Sequence, residues 1–287
     1  MLPKISIVTP NYNKGEFLEY TIKSVLSQGY PNLEYIIIDG GSTDNSVEII
    51  KKYQDRLSYW VSESDNGMYD AIRKGFSHAT GEIMAWIGSD DMFHPNCFNI
   101  VAEIFKNKDV NWLVGATTHF DMSGRCVAVH PSRYFSRVDL LLGDYKWIQQ
   151  ESSFWRRSLY DKVGGINPIL RYAGDFDLWL RFTRFEKMYI CPSLLGGFRL
   201  SNEGQLSLSV DKYEKEVLDS IKLEFNEEDT KMLELNKRRK RIIRFVERLN
   251  IINVEYFRSR LFKEEDETAY RQRFYFDRDT QTFLLPQ

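Results

Sequence analysis

Cysteine is scarce in this chain: three residues in 287, Cys97, Cys126 and Cys191, far apart and odd in number. No CxxC pair occurs, so a disulfide framework is excluded and the three read as buried thiols of a reducing compartment. Histidine is nearly as rare, and His78, His94, His119 and His130 lack metal-ligand spacing. No apolar run approaches the length that spans a bilayer. Met1 to Lys4 lead straight into an apolar strand without a signal-peptide pattern, so the expected location is cytoplasmic. There is no internal repeat and no low-complexity segment. No GxGxxG follows any strand, which disfavours a dehydrogenase.

What is present is ordinary globular material. Hydrophobic residues make up 43% and charged residues 28%, enough to build a core without disulfides. Net charge is −2, yet residues 231–248 hold eight basic and two acidic residues, a local +6. The remaining surface is therefore net acidic, which argues against a nucleic-acid partner.

Strand and helix patterns alternate through the first ninety residues. Apolar β-rich runs at 5–9, 35–38, 57–61 and 83–87 are separated by helical periodicities after Gly15, after Ser42-Thr43-Asp44, and over 68–79. This predicts an α/β fold with a mostly parallel, Rossmann-like sheet flanked by helices. Pro10 is expected to stop the first strand. A hairpin over 110–129 turns at Met122-Ser123-Gly124, helices follow near 137–142, 158–163 and 175–185, and a charged helical extension begins beyond 210. Three segments result: 1–100, 101–210 and a helical, basic 211–287.

In parallel sheets of this kind ligands bind beyond the carboxyl ends of the strands. There the sequence delivers Thr9, Asn11 and Tyr12, then Asp39, then Glu63, Asp65 and Asn66, then Ser89, Asp90 and Asp91. Adjacent like charges such as Asp90-Asp91 are costly without a compensating cation or strong donors. A hard divalent ion sharing a substrate's phosphates is one solution; capping of the following turn is the blander reading.

Six segments in order resemble the inverting glycosyltransferases of the A-type fold usually called family 2. They are Ile5 to Asn13, Ile38-Asp39-Gly40-Gly41-Ser42-Thr43-Asp44, Ser64 to Ala71, Gly88-Ser89-Asp90-Asp91, Gln149 to Arg157, and Gly174 to Arg181. The resemblance covers residues 4–210. It implies a GT-A-type domain with a donor half (1–100) and an acceptor half (101–210), using a nucleotide-sugar donor, a Mn2+ or Mg2+ ion, and a glycan or lipid-linked acceptor. Carried over residue by residue, Thr9, Pro10 and Tyr12 frame the nucleotide base and Asp39 accepts from its edge, with uracil expected. Asp65, Gly67 and Ser89 line the donor pocket. Asp90 contacts ribose or metal, and Asp91 is the principal metal ligand.

The resemblance makes Asp175 the catalytic base, with helix capping as the alternative there and the favoured role for Asp177. Two departures stand out: Gly174 replaces the usual Glu, and no histidine occurs near Ser201. Arg199 is a candidate phosphate ligand or a surface ion pair. Trp147, Gln150 and Glu151 are acceptor candidates, while Trp155 and Trp179 are expected in the core. The basic amphipathic stretch at 231–257 has two readings, a peripheral membrane contact or a solvated helix on the domain. The competing functional classes are a sugar nucleotidyltransferase and a glycan-binding scaffold.

Overall fold

The computed structural model describes residues 2–143, 148–201, 209–249 and 271–286. Its first half follows the sequence pattern. Strands β1 (Ile5–Asn11), β2 (Leu33–Asp39), β3 (Tyr59–Ser62) and β4 (Ile83–Trp86) pair in parallel in the order β3-β2-β1-β4. The β1, β4 and nearly all β2 positions are buried, as runs of Ile and Val covered on both faces should be. Helices α1 (Gly15–Leu26), α2 (Ser46–Tyr53) and α3 (Met68–His78) are the crossovers. Gly75 brings α3 so close to β1 that an added Cβ would lie 2.4 Å from Val8 Cγ1.

Pro10 does not end β1; the strand pairs on to Asn11 opposite Asp39. The β4 ladder has already stopped at Val8, so the missing N–H of Pro10 breaks no hydrogen bond. Strand order reverses between β1 and β4, which opens a crevice at their carboxyl ends.

The second half is less regular. It contains β5 (Met92–Phe93), α4 (Cys97–Ile104), β6 (Trp112–Phe120), β7 (Cys126–His130), α5 (Arg137–Leu141), β8 (Ser153–Arg156), α6 (Arg157–Lys162), α7 (Gly174–Phe182) and β9 (Tyr189–Arg199). These strands extend the sheet as β4-β8-β6-β9-β5, with β7 hairpinned onto β6. Pairings of β8 with β4 and β6, of β5 with β9 and of β7 with β6 are antiparallel, while β6 and β9 run parallel.

Four tryptophans weld the halves together. Trp179 of α7 stacks on Trp86 of β4 at 5.7 Å and on Trp112 of β6 at 5.4 Å, with Trp155 of β8 edge-on. All four are buried, so Trp155 and Trp179 are core residues as expected.

Two helices follow, α8 (Val210–Glu224) and α9 (Glu227–Leu249). Beyond them the expectation of a purely helical extension is corrected. Strands β10 (Tyr275–Asp277) and β11 (Thr282–Leu284) form a hairpin, and Arg273 bridges to Ile190 of β9. Gln281 takes a left-handed φ of 56° at the turn. Of the expected amphipathic stripe, Ile242 is exposed on α9; Phe245, Val246, Leu249 and Ile252 lie outside the described side chains. Among the described residues, no helix is long and apolar enough to cross a membrane.

Candidate active site

A cavity of about 600 Å³ opens where β1 and β4 diverge. Its lining includes Pro10, Tyr12, Lys14, Asp65, Gly67, Ser89, Asp90 and Asp91 from the first half of the chain and Gln150, Arg171, Asp175 and Tyr213 from beyond it. Residues distant along the chain are thus gathered at one sheet edge.

The loops here are tied to each other. Asn13, at φ 50°, donates its N–H to Ser42 Oγ at 2.8 Å, and its Oδ1 accepts from Thr43 N at 2.8 Å. Gly15 N donates to Asp44 Oδ2 at 2.8 Å. The β1–α1 and β2–α2 loops therefore form one platform, on which Tyr12 stands 61% exposed. Gly40 lies between the Tyr12 ring and the Asp65 carboxylate, at 3.3 Å and 2.7 Å from its added-Cβ position. Asp65 Oδ1 accepts from Gly67 N at 2.8 Å, and Gly67 holds φ 110°, a conformation that disfavours side chains. Burial pushes the Asp65 carboxyl upward.

Both carboxylates of the acidic pair converge above Gly88. A Cβ there would lie 2.7 Å from Asp91 Oδ2 and 3.2 Å from Asp90 Oδ1. Asp91 is 3% exposed, and its Oδ1 accepts from Arg199 N at 2.9 Å. Burial raises its pKa well above the carboxylate range, and the Asp90 and Glu151 charges add to this. Lys14 Nζ sits 3.0 Å from Asp90 Oδ2 and offsets part of the charge. This donor set of hard oxygens, one of them on a destabilised buried carboxylate, fits a divalent cation. Among the described residues no group of three acidic, histidine or cysteine side chains is arranged to hold one alone. A cation here would need further oxygens from a bound phosphate.

Asp175 occupies the first turn of α7, half-buried at the cavity wall. Tyr69 and Tyr213 both donate their hydroxyls to its Oδ1, at 3.2 and 3.4 Å. Burial lifts its pKa to about 6 despite the tyrosine and main-chain donors. Gly174 has a local reason: a Cβ would meet the Tyr69 ring at 2.8 Å, so the ring fills the space a glutamate would need. Asp177, expected as a cap, instead pairs with Arg181 one turn on, at 2.5 Å and 3% exposure.

Four expected contacts are corrected because their side chains point away from the cavity. Thr9 is fully buried, its hydroxyl 3.1 Å from that of Tyr35. Asp39 is likewise 0% exposed and saturated by Asn11 Nδ2, Ser42 N, Ser42 Oγ and Ser62 Oγ; it braces the loops instead of meeting a base. Glu151 is buried behind the wall, accepting from Thr117 Oγ1 at 2.8 Å, and burial raises it to about 7. Arg199 is 2% exposed, its guanidinium occupied by the carbonyls of Asp90, Asp121 and Met122 and packed over Phe17. It braces the acidic loop from beneath. Trp147 and the segment after Ser201 where a histidine was sought, 202–208, lie outside the described residues.

Sequence reasoning gave no role to Lys14, Tyr69 or Tyr213. Tyr69 lies within the 64–71 segment and Lys14 directly follows the 5–13 segment, so both carry a local sequence signal. Tyr213 belongs to a charged helix with no local signal.

The Glycosyl transferase family 2 profile matches residues 6–164. An uncharacterised glycosyltransferase of Rickettsia typhi is 26% identical over 220 residues, 74% of this chain and 69% of the relative. Among solved structures, TarS 1–349 of S. aureus in complex with UDP-GlcNAc aligns with TM-score 0.61 at 18% identity, covering 77% of this chain and 66% of that one. The mannosyltransferase PcManGT of Pyrobaculum calidifontis in complex with GDP-Man and Mn2+ aligns with TM-score 0.54 at 17% identity, covering 71% and 59%. These two likenesses establish the A-type fold.

Proposed function

We propose that this chain, which belongs to glycosyl transferase family 2, moves a sugar from a nucleotide-diphosphate sugar to a hydroxyl of a glycan or lipid-linked acceptor. The donor is a UDP-sugar carrying a hexosyl or N-acetylhexosaminyl group, the outcome is inversion, and the role is cell-surface polysaccharide synthesis. The observation that carries the reading is that Asp175 and the Asp90-Asp91 pair line one cavity. Relatives of this fold bound to UDP-GlcNAc and to GDP-Man with Mn2+ support the donor class and the cation.

In this reading residues 1–100 hold the donor and 101–210 present the acceptor, with Gln150 on the acceptor side. Tyr12 stacks on the base, a contact worth roughly 1–3 kcal/mol and tolerant of base identity. Pro10, Asp65, Gly67 and Ser89 shape the pocket around ribose and sugar. Asp91 and Asp90 hold Mn2+ or Mg2+, which when bound neutralises charge on the departing diphosphate. Lys14, beside Asp90, adds a second positive group at the phosphates.

Asp175 takes the proton of the acceptor hydroxyl as that oxygen bonds to the anomeric carbon. The anomeric carbon–phosphate oxygen bond breaks with its electron pair on the nucleoside diphosphate. A single in-line displacement inverts configuration, so an α-linked donor gives a β-linked product.

The test is a donor panel with Mn2+, reading nucleoside diphosphate release and the anomeric configuration of product by NMR. Cation-dependent release with a β-linked product is expected, and Asp175→Asn should fold normally while losing about 100-fold or more in transfer. Full activity in Asp175→Asn, or no release from any nucleotide sugar, refutes the reading.

A further inference from the structure

We propose that α8, in the segment after residue 210, sets the geometry of the base: Glu216 and Tyr213 are positioning residues for Asp175. The inference rests on the role given to Asp175 above. The N-terminus of α7 has no capping side chain of its own, because Ala173 occupies the N-cap. Three successive main-chain N–H groups ahead of the helix point instead at Glu216. Its Oε2 accepts from Tyr172 at 2.8 Å and Ala173 at 2.9 Å, and Oε1 from Arg171 at 3.0 Å. Charge-assisted bonds of this kind are the stronger ones, and they fix the chain two residues before the carboxylate that matters.

Tyr213 stands one turn before Glu216, on the same face of α8. Its hydroxyl reaches Asp175 Oδ1, which the Tyr69 hydroxyl of α3 also meets, that single O–H being shared with Tyr172 O at 3.1 Å. The base is thus held by two helices far apart in sequence, and Glu216 holds the turn from which it projects. The ionisable groups around Asp175 are Tyr69 on α3, Tyr213 and Glu216 on α8, and Glu151 ahead of β8.

The experiment uses the full chain, with donor binding by calorimetry, kcat and donor KM, and pH–rate profiles. Glu216→Ala is expected to lower kcat about 10- to 100-fold, the penalty of a misplaced reacting group, while donor KM stays within about twofold. Glu216→Gln, whose amide oxygen still accepts, should recover most of the loss. Tyr213→Phe should move the acid limb to higher pH, since a hydrogen bond favouring the ionised carboxylate is gone. An unchanged kcat in Glu216→Ala, a proportional rise in donor KM, or an unmoved limb in Tyr213→Phe overturns the proposal while leaving the functional reading intact. Should Glu216→Ala fail to fold, Tyr213→Phe decides. A wild-type chain with no transfer overturns the functional reading and this inference with it.

Discussion

At the scale of single residues, burial acts on two carboxylates to which the proposed function gives opposite roles. Asp175 is raised to about 6, so it is protonated below that pH and ionised above it. A base must be ionised to accept a proton, so kcat is expected to climb with pH through a limb near 6 and then level. A flat profile between pH 5 and 7 contradicts the role. Asp91 is held well above the ordinary carboxylate range, by burial first and then by Asp90 and Glu151. A carboxyl whose native pKa exceeds its unfolded value, about 3.9, withdraws stability as pH rises from there through the native pKa. Asp91→Asn keeps an oxygen for Arg199 N and removes the charge. Without cation, the variant should melt higher than wild type at pH 7–8, by roughly 2–4 °C for each kcal/mol recovered. It should also lose cation-stimulated donor binding. A lower melting temperature would show that the acidic pair is not strained in the free protein.

At the scale of elements, α7 is the part on which the site turns. One turn after Asp175, Trp179 wedges between Trp86 and Trp112, so the ring stack that fills the core also sets the height of the base above the sheet. Trp179→Ala should cost about 3–5 kcal/mol, read as a loss in denaturant midpoint, and Trp179→Phe distinctly less. The C-terminal helices are held by a separate device. Arg137 of α5 makes a two-pronged pair with Asp229 of α9, Nε–Oδ1 at 2.6 Å and Nη2–Oδ2 at 2.8 Å, with Asp229 buried and the Arg137 side chain 10% exposed. The same guanidinium donates to Leu180 O on α7 at 2.9 Å. Removing one partner strands the other charge, so Asp229→Ala should destabilise by about 3–5 kcal/mol. A double substitution, Arg137→Met with Asp229→Leu, should recover much of that in the same unfolding assay.

At the scale of the molecule, the proposed function puts donor and cation in one cavity lined from both halves of the sheet, so their binding should be coupled. Mn2+ alone or donor alone should raise the melting temperature little and the two together much more, because each completes the other's contacts. Additive shifts would mean separate sites. Much of this was legible beforehand: the four parallel strands follow from short apolar runs, and the polar residues at their carboxyl ends follow from the connectivity of the sheet. Trp155 and Trp179 read correctly as core because large rings separated along the chain have few other places to go. Less legible was the second half, where β8 lacks alternation because every position is buried, β9 is irregular, and the β10–β11 hairpin is hidden behind a run of charge.

The sequence by itself determined the α/β class and the sheet edge at which polar residues gather, since those depend on local periodicity and chain order. Only the tertiary structure decided which of the acidic residues meet the cavity. Asp39 and Glu151 are turned inward and saturated by neighbours remote in sequence, Asp175 is turned outward between two tyrosines, and orientation of that kind is set by long-range packing that no local pattern encodes.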